Sequence, residues 1–108
     1  MKRFVWLSYD VGVQGDYEGL YLWLDKQKAK ECGASVACFS YEHTGDLLPS
    51  LIRDLKKNIK ITTRSRFYVM YLGKDKRMKG QFIMGSRKSA PWIGYADFHE
   101  GESDSSDA

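Results

Sequence analysis

Cysteine is scarce in this chain: of its 108 residues only Cys32 and Cys38 carry thiols. Two are too few to staple a small secreted scaffold, so they are expected as free thiols of a reducing compartment. Histidine is as rare. His43 and His99 stand at no zinc-finger spacing and at no dyad spacing from a nucleophile, and Cys32, Cys38 and His43 together match no short metal knuckle. There is no glycine-rich phosphate loop and no nucleophile elbow. Long apolar runs are missing too. The longest, residues 67–72, falls far below the ~20 residues that a membrane-spanning helix requires. Met1-Lys2-Arg3 leads straight into strand-like sequence without an apolar stretch of signal-peptide length, which gives the expectation of a cytoplasmic protein with no membrane partner.

What is present suits one folded domain. The chain is 43% hydrophobic and 29% charged, the balance of an ordinary globular protein with a single core. Its net charge of +3 hides an asymmetry. All 17 Lys and Arg precede residue 97, whereas the last twelve positions hold Asp97, Glu100, Glu102, Asp104 and Asp107. The expected organisation is therefore an α+β domain over residues 1–96 and an acidic, disordered tail over residues 97–108.

Residues 4–9 (FVWLSY) are aromatic and branched, and too short for a buried helix, which marks a central strand. Asp16 is placed to cap a helix from Tyr17, with Leu20, Tyr21 and Leu24 on one stripe and Gly33 as the closing residue. Residues 35–41 (SVACFSY) form the next strand. Leu48, Leu51, Ile52, Leu55 and Ile59 then repeat with helical period, Asp46 as a possible cap and Pro49 tolerated in the first turn. Residues 67–72 and 78–84 pair through the hairpin at 73–77, and polar Lys79 and Gln81 alternating with apolar neighbours give the last strand an edge position. Residues 91–95 (PWIGY) are expected to dock an aromatic anchor on the core. The order β-α-β-α-β-β, with two helices covering one face of a four-stranded, mainly antiparallel sheet, gives a two-layer ferredoxin-like sandwich.

Tyr9-Asp10 at the end of the first strand, Gly33 ahead of Ser35-Val36 and Phe39, and the leucine-periodic helix leading into residues 66–72 resemble the small ferredoxin-fold subunit of CRISPR adaptation and its toxin-like nuclease relatives. The resemblance spans about residues 3–72 and rests on hydrophobic spacings and one acid. It implies a homodimer, with Asp10 as a hard oxygen ligand to Mg²⁺ near the twofold axis, and so a metal-dependent nuclease. Residues 11–16, however, carry no basic side chain to hold a phosphate beside that acid. An Asp after a strand also commonly accepts local backbone N–H groups.

The other candidate site is basic. Arg64, Arg66, Lys74, Lys76, Arg77, Lys79, Arg87 and Lys88 fall in one third of the chain, with Tyr68, Tyr71, Phe82 and Trp92 available to stack on bases if they face solvent. The same charges would also serve solubility and edge protection. The leading expectation is a non-enzymatic interaction module that binds nucleic acid or an acidic protein surface. The nuclease carried by Asp10 is one alternative, and a mobile-element-encoded inhibitor or regulator of a host complex is another.

Overall fold

The fold follows from the alternation in the first strand. In the computed structural model, which describes residues 1–97, the elements run β1 (Lys2–Asp10), α1 (Tyr17–Lys26), β2 (Lys30–Glu31), β3 (Val36–Glu42), α2 (Leu47–Asn58), β4 (Arg66–Leu72) and β5 (Met78–Met84). Successive side chains of a strand point to opposite faces. Val5 and Leu7 are fully buried, whereas Phe4 and Asp10 are exposed. The same split runs through β3, where Ala37, Phe39 and Tyr41 are buried, and through β4, where Phe67 and Val69 are. These residues share one cluster with Leu20, Trp23 and Leu24 of α1 and Leu47, Leu51 and Leu55 of α2. Both helices therefore cover the same face, and neither α1 nor α2 lies against the opposite one.

The sheet has five strands in the order β2-β3-β1-β4-β5, every pair antiparallel, with β1 in the centre. The units β1-α1-β2 and β3-α2-β4 interleave, so that β3 separates β1 from β2 and β1 separates β3 from β4. The hairpin strand β5 lies at the edge, as its alternating polarity indicates. Ile83 is an extra residue in it: Tyr68 faces Phe82 while Phe67 faces Met84.

Two expectations need correction. The sheet has five strands rather than four, because α1 stops at Lys26 instead of running to Gly33. Lys28 takes φ 55°, and the chain then pairs Lys30 with Cys38 and Glu31 with Ala37 along the free edge of β3. A two-residue strand leaves no periodic trace, and Gly33 serves instead in the β2–β3 turn, where its carbonyl accepts the Val36 N–H at 3.3 Å. The second concerns residues 91–95. Trp92 is 71% exposed and Ile93 and Tyr95 are also outside the core, which Phe67 and Met84 already close at that end of the hairpin. The acidic tail lies outside the described residues except for Asp97, which is exposed and helical together with residues 95 and 96. No helix among the described residues is long and apolar enough to cross a membrane.

Asp16 ties the two helices together. Its Oδ1 accepts the Gly19 N–H at 2.9 Å, capping α1, and its Oδ2 accepts the Lys60 N–H at 2.9 Å just beyond α2. Those two donors hold its carboxyl below the usual carboxylate range. Asp46, at the matching position of α2, makes no side-chain cap.

Gly19 marks how closely Asp16 approaches, since a Cβ there would lie 2.3 Å from Asp16 Oδ2 and 3.0 Å from the Asn58 carbonyl. Gly19→Ala should therefore destabilise the protein by about 1–3 kcal/mol in urea unfolding, against the helix-propensity gain that favours Ala by about 1 kcal/mol. A more stable variant would show that the clash relaxes freely. Because the folded-state pKa of Asp16 is depressed, its contribution is present above the unfolded-state pKa and is lost as pH falls through the folded-state one. Melting curves should accordingly show Asp16→Asn less stable than the parent near neutral pH, with the gap closing in strong acid; a gap independent of pH would contradict the charged tie.

Candidate nucleic-acid interface

Over β1, β4 and β5 the face of the sheet away from α1 and α2 carries an apolar and aromatic stretch, whereas its β3 side holds Ser40 and Glu42. The register places side chains there in rows. Trp6, Met70 and Gly80 form one row, Ser8, Tyr68 and Phe82 the next, and Asp10 lies beside Arg66 beyond them. On the other side of Trp6, Phe4 is exposed on β1, and Leu72 faces Met78 across β4 and β5 with both at least half exposed.

The aromatic rings form two pairs on this surface. Phe4 and Trp6 meet edge to face with centroids 5.0 Å apart, and Tyr68 and Phe82 do so at 4.9 Å. Edge-to-face pairs fix ring orientation, which leaves rigid apolar surfaces rather than loose side chains. Gly80 makes room for them: a Cβ there would fall 2.5 Å from the Tyr68 hydroxyl, so the tyrosine lies across the glycine. Arg66 sits at the end of the platform with its Cζ 5.6 Å from the Phe82 centroid, and its buried Nε has no hydrogen-bond partner. A cation held over a ring at the edge of the platform places positive charge where a phosphate would lie.

The expected basic residues are divided by the hairpin. Lys74, Lys76 and Arg77 lie in the β4–β5 turn, whereas Arg64 and Arg66 precede or open β4 at the far end, the end at which Arg87 and Lys88 leave β5. Seven-residue strands separate these groups by about 20 Å at ~3.3 Å per residue. Lys79 belongs to neither group: it faces Tyr71 on the helix-covered side and pairs with Asp75 at 3.3 Å. Asp75 also caps the turn through the Arg77 N–H, which with Lys79 lowers its pKa.

Of the four aromatics expected to stack, Tyr68 and Phe82 are on the open face. Tyr71 packs toward the helices under Arg3, whose Cζ is 5.7 Å from its ring, and Trp92 stands off the sheet. Phe4 and Trp6 were not singled out by the sequence. An unbroken apolar run gives no sign of which side will be left open, though strict alternation through β1 would have separated Phe4 and Trp6 from Val5 and Leu7.

Asp10 is exposed and accepts the Gly12 N–H through Oδ1 at 3.0 Å, the local turn role open to any Asp after a strand. Among the described residues it belongs to no group of three or more acids, thiols or imidazoles able to hold a metal ion. An Mg²⁺ ion held by Asp10 would therefore take its other ligands from water or from a second copy. Cys32 and Cys38 are both free, and burial together with the neighbouring Cys38 thiol raises the Cys32 pKa.

A second polar grouping lies on the helix-covered side, where β3 runs into α2. Asp54 Oδ2 accepts Trp23 Nε1 at 3.1 Å and the Tyr41 hydroxyl at 3.2 Å, and its Oδ1 accepts Asn58 Nδ2 at 3.0 Å. Burial and the adjacent Asp54 charge push the Tyr41 pKa up to about 12, so it remains a donor. His43 stacks on the Tyr41 ring at 6.0 Å and is 5% exposed; its Nδ1 is 3.0 Å from the Gly45 carbonyl and its Nε2 has no partner.

No protein-family model, curated protein or solved structure matches this chain.

Proposed function

We propose that this protein is a non-enzymatic module that binds single-stranded nucleic acid across the face of its sheet away from α1 and α2. The observation that carries the reading is the aromatic platform of Phe4, Trp6, Tyr68 and Phe82, terminated by Arg66 over the Phe82 ring. Bases unstacked from a single strand gain by lying on such rings, and the backbone gains from flanking cations. Lys2 and Lys30 border the face on the β3 side, and the turn lysines with Arg77 border it at the hairpin. A duplex offers no exposed base faces and would use only the charges. The architecture supports the same reading. We read the order β2-β3-β1-β4 with two interleaved β-α-β units as a ferredoxin-like arrangement, to which β5 adds an edge strand that carries Phe82 onto the platform.

An acidic protein surface would satisfy the cations but leave the rings without a role, and a nuclease would need chemistry beyond Asp10. Fluorescence anisotropy with short labelled RNA and DNA strands separates these readings. Binding should weaken steeply as salt rises, and Phe4→Ala and Phe82→Ala should each weaken it about 5- to 150-fold, the effect of losing roughly 1–3 kcal/mol of stacking per base. Phe4 is exposed, so its replacement leaves the core intact. Undetectable binding at low salt, or full affinity in both variants, would remove the platform from the account.

A further inference from the structure

The two edges of the sheet are finished differently. At the β3 edge, β2 pairs with Ala37 and Cys38, and Lys26, Lys28 and Lys30 line the recess along the rest. Short covering strands and lysines keep a sheet edge from pairing with another chain. The β5 edge has neither. Lys79 is its one charged side chain, and Asp75 draws that ammonium back to the turn at 3.3 Å. Residues 78–84 contain no proline, and no backbone hydrogen bond among the described residues reaches β5 from its outer side.

The ladder shows which groups are left over. Along an antiparallel strand, successive residues bond alternately to one side and the other. Gly73 N–H donates to the Arg77 carbonyl at 2.7 Å, so the bonded pairs that follow are Tyr71 with Lys79 and Val69 with Gln81. Met78, Gly80 and Phe82 therefore direct their backbone groups outward. The bulge at Ile83 ends this series, since Met84 turns back to Phe67.

These three positions are self-complementary. A twofold axis through Gly80, perpendicular to the sheet, sets Gly80 against its own copy and Met78 against Phe82 of the second copy, so every outward N–H and C=O finds a partner. On the helix-covered side the same register opposes Lys79 to Gln81, and no like charges face each other in the ladder. Neighbouring registers are worse. An axis at Lys79 sets that cation against itself, and one at Gln81 sets Met78 against Met84, whose pairing is with Phe67. Met78, 60% exposed in the single chain, gains the Phe82 ring as cover for its thioether.

We propose that β5 is a homodimer interface, in which two copies of this chain pair antiparallel through Met78, Gly80 and Phe82 about a twofold axis at Gly80. The contact is isologous, so it closes and does not extend into a filament. It differs from the dimer that the sequence resemblance implies, because Asp10 lies two strands in from β5, more than about 10 Å from this axis. Both aromatic platforms come to lie on one side of a sheet continuous through the two copies. The turn cations of each copy approach the Arg66 end of the other, a repulsion that salt screens.

Sedimentation equilibrium of the full chain from micromolar to millimolar concentration, in moderate salt and without nucleic acid, tests this. A contact of one strand pair lies below the ~1,200 Å² of stable complexes, so a weak, concentration-dependent dimer is expected. Gln81→Lys, which opposes two lysines on each side of the axis, should weaken it about 2- to 30-fold, and Gln81→Glu should tighten it by a similar factor. Gln81 is exposed, so neither change disturbs the core. Gln14→Lys, the same change of charge in the exposed β1–α1 loop, should leave dimerisation as it is. In the parent, hydrogen exchange at the Met78, Gly80 and Phe82 amides should slow as concentration rises. A monomer at millimolar concentration, a dimer that responds to Gln14→Lys as it does to Gln81→Lys, or one in which those three amides stay unprotected would each overturn the proposal. Oligonucleotide binding is measured separately, so the platform and the interface can fail independently.

Discussion

The central strand has to satisfy two environments at once, and the rest of the molecule depends on that division. β1 is hydrogen-bonded on both edges, to β3 and β4, so it cannot slide or twist out of register without breaking both ladders. A slip of one residue would exchange the two faces along its whole length. Val5 and Leu7 belong to the core, and each contributes on the order of 1.5–3 kcal/mol by its removal from water. By the same alternation Phe4 and Trp6 are sent to the far side. The packing that stabilises the fold is thus what displays the rings, and neighbouring strands continue the pattern with Tyr68 and Phe82.

The helices are held over their face by polar ties as well as by packing. Asp16 links the start of α1 to the residue beyond α2, and Asp54 gathers Trp23 from α1 and Tyr41 from β3. Each places a carboxylate where two or more donors converge, which ties the helices to each other and, through Tyr41, to the sheet. At the β3–α2 corner His43 stacks against Tyr41, and Arg53 and Lys57 lie beside them on α2.

Much of this was legible in the residues, and the gaps have physical causes. The helix at Leu47–Asn58 was visible because Leu48, Leu51, Ile52 and Leu55 repeat at its period, and the hairpin because Lys79 and Gln81 alternate with apolar neighbours. The cap at Asp16 was visible too, being local. Its bond to Lys60 was not, since it joins residues 44 positions apart. β2 was missed because a pair of residues captured by a strand edge has no pattern of its own. The basic residues were identified by type, but their division between the two ends of the hairpin depends on strand length and register. The burial of His43 gave no signal because it comes from its contacts with the Gly45 carbonyl and the Tyr41 ring.

The most direct check is chemical-shift mapping of the protein titrated with a short single-stranded oligonucleotide. The account predicts changes concentrated in the side chains of Phe4, Trp6, Tyr68, Met70 and Phe82 and the guanidinium of Arg66, with Leu20, Leu51 and Leu55 on the covered face unmoved. Changes confined to the helices, or to the hairpin turn without the rings, would contradict it.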